Sequence, residues 1–318
     1  MAPRVYITRR LPQPALELVA AACDVAVWDQ DEPVPRDVLL AAARSADGLL
    51  TMLSDRIDGE LLDAAPGLKV VANMAVGYDN VDLAELRRRG VILTNTPDVL
   101  TATTADMAWT LMLAAARRLV EGHKLIEAGG WQSWSPGFMT GHDVSGATLG
   151  VVGAGRIGGA VLRRGRGFDM ALRYHNRSRS PELEQQTGAQ FLPLDALLAE
   201  ADFVVVAAPL TAQTRGLFGA REFALMKPTA VFVNVARGPI VQEAALYQAL
   251  RAGRPWAAGL DVFEREPIGA DHPLLGLPNL VAAPHLGSAT VSTRLKMATT
   301  AARNLVAVVT GGAPLNPV

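Results

Sequence analysis

The feature that most narrows the fold is a strand-like run, Thr148-Leu149-Gly150-Val151-Val152, that leads directly into Gly153-Ala154-Gly155-Arg156-Ile157-Gly158 and then into a helical stretch. A bare Gly-x-Gly-x-x-Gly is a weak signal. Between a strand and a helix it gains a mechanism. The first glycine permits a tight turn and the second lets backbone approach a pyrophosphate. The third lets helix and strand pack closely, while the helix N-terminus faces the phosphates. In that setting a dinucleotide-binding loop is favoured over a purely structural turn.

The rest of the chain reads as parallel α/β. Its 318 residues are long for a single core, so two domains are expected. Short β-rich runs alternate with helical ones. Val5 to Thr8, Val25 to Trp28, Gly48 to Leu53, Lys69 to Ala72 and Val91 to Leu93 read as strands. Helices are expected near Pro14 to Ala22, Arg36 to Ala43, Gly59 to Ala64 and Leu83 to Arg89. One long helix should then run from about Thr103 to Ala128, followed by an irregular aromatic stretch, Gly129 to Gly137. Beyond the glycine loop, further strands are expected at Ala171 to His175, Phe203 to Ala207, Ala230 to Val235, Ala257 to Asp261 and Leu280 to Ala283. Ala289 to Thr310 reads as one helix with Leu295, Ala298, Ala301, Ala302 and Leu305 on an apolar face. Only the second unit carries a phosphate loop. The expected fold is therefore two doubly wound parallel-sheet domains. A Rossmann cofactor domain over residues 100–287 is inserted in a flavodoxin-like substrate domain made of residues 1–99 and 288–318, the last helix crossing back onto the first unit.

Composition sets bounds on function. Acidic and basic residues nearly cancel, 31 against 30, and no basic stripe stands out, which argues against nucleic acid as a main partner. The single cysteine, Cys23, excludes an internal disulfide and a Cys-cluster metal site, and no metal is expected. Met1 to Arg10 lacks the apolar core of a signal peptide, and the longest apolar run, about Met107 to Ala116, is too short to span a bilayer. The expectation is a globular cytoplasmic protein with no membrane partner.

The strand after the loop speaks to the cofactor. An NAD-type site offers an Asp or Glu to the ribose hydroxyl about twenty residues beyond the loop. Here the strand ends Tyr174-His175-Asn176-Arg177-Ser178-Arg179-Ser180, and the first acid is Glu182. Arg177 and Arg179 can pair with a 2′-phosphate and Ser178 can hydrogen-bond it, beside Asn176 at the strand tip. That favours NADP(H), with NAD(H) still open. The plainer reading is a solvated basic loop.

Three patches further on supply an Arg, a Glu and a His: Asn234-Val235-Ala236-Arg237-Gly238, Asp261 through Glu266-Pro267, and Pro284-His285-Leu286-Gly287-Ser288. Each is expected at a strand-to-loop junction, at the carboxyl end of the sheet where open α/β folds bind ligands. Singly, each has a structural reading. Jointly, they are the kit for reducing a 2-oxo acid with nicotinamide. Arg237 would clamp the substrate carboxylate and polarise the carbonyl. His285 would give a proton to the carbonyl oxygen, and Glu266 would accept the other imidazole N–H and stabilise imidazolium. Asp261 could hold the nicotinamide carboxamide, and the small Ala236 leaves room beside it. The turn Met74-Ala75-Val76-Gly77-Tyr78-Asp79 in the first unit could add backbone N–H groups from Val76 and Gly77, or be plain β-α punctuation.

These residues resemble the D-isomer-specific 2-hydroxyacid dehydrogenase family over nearly the whole chain, most closely its glyoxylate/hydroxypyruvate reductases. Gly48 to Asp55, Thr96-Pro97-Asp98-Val99-Leu100-Thr101, Gly129-Gly130-Trp131 with Trp134, and His285-Leu286-Gly287-Ser288-Ala289-Thr290 carry the likeness. The resemblance implies catalysis by Arg237, Glu266 and His285, and a substrate site lined by Leu53, Val76 and Gly77. It implies cofactor contacts from Thr104, Gly155, Arg156, Ile157, Pro209, Thr214, Val235 and Asp261, with Ala236, His285 and Gly287 alongside. It also implies a homodimer joined through an arm at Thr103 to Ser145, with Trp134 reaching the partner's substrate site or simply packing the interface. Two rivals remain: a dehydrogenase for bulkier 2-oxo acids, and a non-enzymatic dinucleotide-sensing protein of the same fold.

Overall fold

The computed structural model describes residues 1–318 and divides into two compact units, Met1–Leu100 with Thr290–Val318, and Thr101–Ala289. The first unit holds a five-stranded sheet of β1 (Arg4–Ile7), β2 (Asp24–Val27), β3 (Gly48–Thr51), β4 (Val70–Asn73) and β5 (Ile92–Thr94), in the order β2-β1-β3-β4-β5. Every pairing is parallel. This is the doubly wound order of flavodoxin-like sheets. β3 and β4 are buried along their whole length, apolar except for Thr51 and Asn73 at their carboxyl ends. The helix Val291–Val309 packs on this sheet and on the helix Gln13–Ala20. Its apolar stripe lies so close that a Cβ on Gly48 would stand 2.7 Å from Leu305 and 2.8 Å from Val309. The buried amide of Asn304 takes the backbone N–H groups of Leu315 and Asn316, each at 2.9 Å, and so turns the C-terminal tail back to β5.

The second unit holds seven parallel strands: β6 (Thr148–Val152), β7 (Ala171–His175), β8 (Gln190–Phe191), β9 (Phe203–Val206), β10 (Val231–Asn234), β11 (Ala257–Leu260) and β12 (Leu280–Ala282). Their order is β12-β11-β10-β9-β6-β7-β8. β6 lies between β7 and β9, so the strand order reverses beside it, which is where such sheets open a crevice for a ligand. Alternate residues feed two cores. Val151, Phe203 and Val233 join one around Trp109 and Met112, while Val152, Val204 and Phe232 join the other around Phe218 and Phe223.

The structure corrects two expectations. The long helix over Thr103 to Ala128 is two helices, Thr101–Ala116 and Leu119–Glu127. Arg118 between them sits at φ 53°, a left-handed conformation that ends the first helix. The Ala116 carbonyl takes the N–H of His142 at 3.0 Å instead of a helical partner. The Arg118 guanidinium grips both oxygens of Glu121, at 2.6 and 2.9 Å, and so anchors the start of the second helix. Missing from the expected strands is β8, a two-residue edge strand too short for a sequence pattern to reveal. The strand expected over Gly48 to Leu53 also stops early, at Thr51, where the chain turns.

Candidate active site

The phosphate loop is built as its glycines require. Gly153 has φ 91°, and a Cβ there would lie 2.3 Å from the Ala208 nitrogen. Gly158 abuts the loop itself, its Cβ position 2.3 Å from the Gly153 carbonyl oxygen. Gly155, which caps the helix Arg156–Gly165, faces open space. Two glycines are therefore demanded by packing, and the middle one leaves backbone bare for something outside the chain, which is what a pyrophosphate needs. Arg156 is exposed at the helix start and Ile157 half-buried. The residues present fit a dinucleotide.

Asn176 has a part within the chain itself. Its Oδ1 accepts the Ala154 N–H at 2.7 Å, so the strand tip holds the loop in shape. The two arginines beyond it differ from each other. Arg179 is committed to Glu184, with Nε at 2.7 and 3.0 Å from its oxygens and Nη2 at 2.7 Å. The Tyr174 hydroxyl donates to the same carboxylate at 2.7 Å and accepts from Ser180 N–H. The Arg179 guanidinium, then the Tyr174 hydroxyl, hold the Glu184 carboxyl below the usual carboxylate range. Arg177 and Ser178 are exposed and carry no such pairing. The nearest acid in space therefore takes up one of the two cations that the sequence offered to a phosphate.

Across the sheet, successive strands end near successive residues of the expected site. β9 leads to Ala208 and the exposed Pro209, where the Thr214 hydroxyl closes a loop by donating to the Pro209 carbonyl at 2.7 Å. β10 leads to the buried Val235 and Ala236 and then to Arg237. Asn234 shapes that exit, accepting the Ala236 N–H and donating to the Arg237 carbonyl, each at 3.0 Å. Gly238 follows because a Cβ there would fall 1.8 Å from the Phe263 backbone. Neither role was legible in advance. Asn and Gly at a strand exit announce a turn, but not what the turn packs against.

β11 ends at Asp261, which is 1 % exposed. Its two oxygens accept the backbone N–H groups of Leu286, at 2.6 Å, and Gly287, at 2.7 Å. Burial pushes this carboxyl above its usual range, against the pull of those two bonds and of the His285 charge. Each oxygen thus holds one backbone N–H, and Asp261 shapes the His285 loop. Thr104 adds a hydroxyl bond to the Gly287 carbonyl at 3.2 Å. So held, His285 adopts φ 56° and turns its Nδ1 to Glu266 Oε2 at 2.7 Å. Glu266 Oε1 accepts the Phe263 N–H at 2.9 Å, which fixes the carboxylate plane. Burial would raise the Glu266 carboxyl, but the His285 bond and charge, the Phe263 N–H and the Arg237 charge outweigh it, and the net shift is downward. An ionised, oriented carboxylate behind an imidazole leaves Nε2 to carry a proton outward. Arg237, Glu266 and His285 are therefore one electrostatic group within the second unit.

The remaining expected residues lie elsewhere. In the first unit, Leu53 is 38 % exposed on the turn after β3. Val76 and Gly77 form a half-buried turn after β4, and their backbone N–H groups meet no acceptor in the chain. Trp134, 78 % exposed, lies in the irregular segment after Leu119–Glu127. No helix is long and apolar enough to cross a membrane.

Comparison with known proteins agrees with this fold. The profile of the D-isomer specific 2-hydroxyacid dehydrogenase, NAD binding domain, matches residues 109–287. A glyoxylate reductase of Thermococcus gammatolerans is 51 % identical over 99 % of this chain and 95 % of its own. A solved protein of Thermus thermophilus superposes with a TM-score of 0.92 at 44 % identity, over 99 % of each chain. An NADPH-dependent glyoxylate/hydroxypyruvate reductase of Sinorhizobium meliloti, solved with NADP and malonate, gives 0.86 at 34 % identity, over 100 % of this chain and 97 % of the other. With a dinucleotide loop at the switch point and a carboxylate-held histidine among the strand ends, the chain belongs to the D-isomer specific 2-hydroxyacid dehydrogenase family, nicotinamide-dependent oxidoreductases acting on a CH–OH group.

Proposed function

We propose that the chain is an NADPH-preferring reductase of small 2-oxo acids, glyoxylate and hydroxypyruvate, giving the D-2-hydroxy acid. The observation that carries the reading is the 2.7 Å His285–Glu266 pair within the field of Arg237. When bound, the nicotinamide supplies the hydride. Arg237 holds the substrate carboxylate, for which a planar guanidinium is suited. His285 delivers its Nε2 proton to the carbonyl oxygen as charge develops there. Glu266 keeps the imidazole in register and stabilises its cation. Leu53, Val76 and Gly77 are the further substrate contacts we assign. The glycine loop, Arg156, Ile157, Pro209, Thr214, Val235, Ala236 and the backbone near Gly287 are the cofactor contacts. Asn176, Asp261 and Thr104 join these contacts and also hold those segments.

The NADPH preference rests on the missing acid at the strand tip and on Arg177 with Ser178. Identity with glyoxylate reductases supports the substrate class. The direct test is initial-rate absorbance with glyoxylate and hydroxypyruvate, each against NADPH and NADH. NADPH should be oxidised faster with both acids. Arg177→Ala should raise the NADPH KM about ten-fold while leaving NADH within about two-fold; equal effects on both cofactors reject the preference.

Arg237→Lys keeps the charge and loses the fork. It should lower kcat/KM by about a hundred-fold, and a value within a few-fold of wild type rejects the clamp. The acid side of the pH profile follows from Glu266. A carboxyl whose folded value is lowered contributes its pairing above the ordinary carboxylate range and loses it as pH falls through the lowered value. Wild-type activity should therefore persist through mildly acidic pH, and Glu266→Gln should depress kcat/KM for reduction and draw the alkaline limb of its pH profile to lower pH. A superimposable profile rejects the pairing role.

Assembly is part of the same reading. The helix Leu119–Glu127 has no buried residue, and Leu119, Ile126, Trp131 and Trp134 are 66, 59, 57 and 78 % exposed. An apolar arm of this kind suits a second copy, with Trp134 reaching the other copy's substrate site. Sedimentation velocity should find a dimer that Trp131→Ser with Ile126→Ser weakens; a wild-type monomer at micromolar concentration refutes this.

A further inference from the structure

The carboxyl ends of β3 and β4 in the first unit carry a polar frame that the proposed reaction has not yet used. Ala75 O accepts the Thr96 N–H at 2.9 Å, and Val76 O accepts the Asn95 side-chain amide at 2.9 Å. A trans peptide points its N–H opposite to its C=O. Gripping those two carbonyls therefore aims the N–H groups of Val76 and Gly77 the other way, and neither has an acceptor in the chain. The next carbonyl, Gly77 O, takes the Asn73 amide at 3.2 Å. Asn73 is fully buried and its Oδ1 accepts the Thr51 hydroxyl at 3.2 Å.

Asn80 extends this frame to the turn that carries Leu53. Its Nδ2 donates to Met52 O at 3.2 Å and to Asp55 O at 2.8 Å, and its amide meets that of Asn73 at 3.4 Å. The Asp55 carboxylate closes the same turn, taking the Met52 N–H at 2.7 Å and the Thr8 hydroxyl. Burial pushes the Asp55 carboxyl up, in opposition to those bonds and to the Arg9 charge. Keeping such groups out of water costs free energy unless each is satisfied. Here their bonds converge on two turns, those of Leu53 and of Val76–Gly77.

We propose that Asn95 and Asn80, with Asn73, are positioning residues that aim the Val76 and Gly77 N–H groups and set their spacing from Leu53, so that this amide frame determines how tightly a small 2-oxo acid is held by its carboxylate. The inference rests on the substrate reading above and adds the residues that tune it. None of the three asparagines touches the reacting atoms.

Asn95→Asp and Asn80→Asp keep shape and remove the amide donors, turning an acceptor toward Val76 O in one and toward Met52 O and Asp55 O in the other. Each should raise the glyoxylate KM, and the competitive inhibition constant of oxamate, by about ten-fold or more, the ratio set by a lost hydrogen bond in a dry site. The NADPH KM should stay within about two-fold. A purely structural role lowers the active fraction, and so kcat, without moving either constant. Glyoxylate KM and oxamate inhibition both unchanged in the two variants overturn the proposal. If Asn80→Asp does not fold, Asn95→Asp and the shorter donor variant Asn95→Ser decide it, Ser being expected to restore part of the loss. Wild-type enzyme that reduces neither glyoxylate nor hydroxypyruvate with either cofactor overturns the substrate reading and this inference together. Turnover by wild type with unmoved variants overturns the inference alone.

Discussion

The Asp261 carboxylate, sealed from water and bonded to the backbone N–H groups of Leu286 and Gly287, is the contact on which the rest of the catalytic end depends. A non-glycine residue at φ 56° is strained by about 1–3 kcal/mol, and His285 tolerates it because its neighbours on the chain are pinned. Two charge-assisted bonds in a dry site are of the size needed to offset that strain. The backbone bend then turns the imidazole to Glu266, whose other oxygen is anchored by Phe263 N–H. A buried carboxylate thus shapes the loop, the loop bends the histidine, and a second carboxylate sets the orientation of its ring.

The cofactor end is built by a complementary device, the absence of side chains. Gly153 and Gly158 are demanded by the chain's own backbone, and Gly155 faces outward into open space. Asn176 secures the loop from the neighbouring strand by taking Ala154 N–H. An acid in its place could make the same bond, but would bring negative charge to the strand tip. On the proposed NADPH reading, the neutral amide there and the exposed Arg177 beside it suit an added phosphate on the ribose.

Much of this was legible from residues in order. The β6–loop–helix junction identified itself, because a strand pattern, three glycines and a helix pattern fall in one register, and the doubly wound fold follows from the alternation of elements. Arg237, Glu266 and His285 were legible as chemistry because each sits where a strand pattern stops. The helix break at Arg118 was not, since its cause is the Ala116 carbonyl being claimed by His142, beyond the reach of helical periodicity. Nor was the capture of Arg179 by Glu184, a pairing along the following helix start that removes one cation from an otherwise uniform basic loop.

By itself the sequence determined the parallel α/β class and the dinucleotide loop, and it singled out Arg237, Glu266 and His285 as candidates, because hydrophobic period, glycine spacing and side-chain chemistry are local properties of the chain. Only the tertiary structure decided which groups are spent on holding others. Asp261, Asn176, Thr104, Arg179 and Asn234 all looked available or anonymous in one dimension. Each turns out to hold another segment of the chain, the buried ones because a buried polar group must find partners wherever packing has placed them, and Arg179 through a surface pair with Glu184.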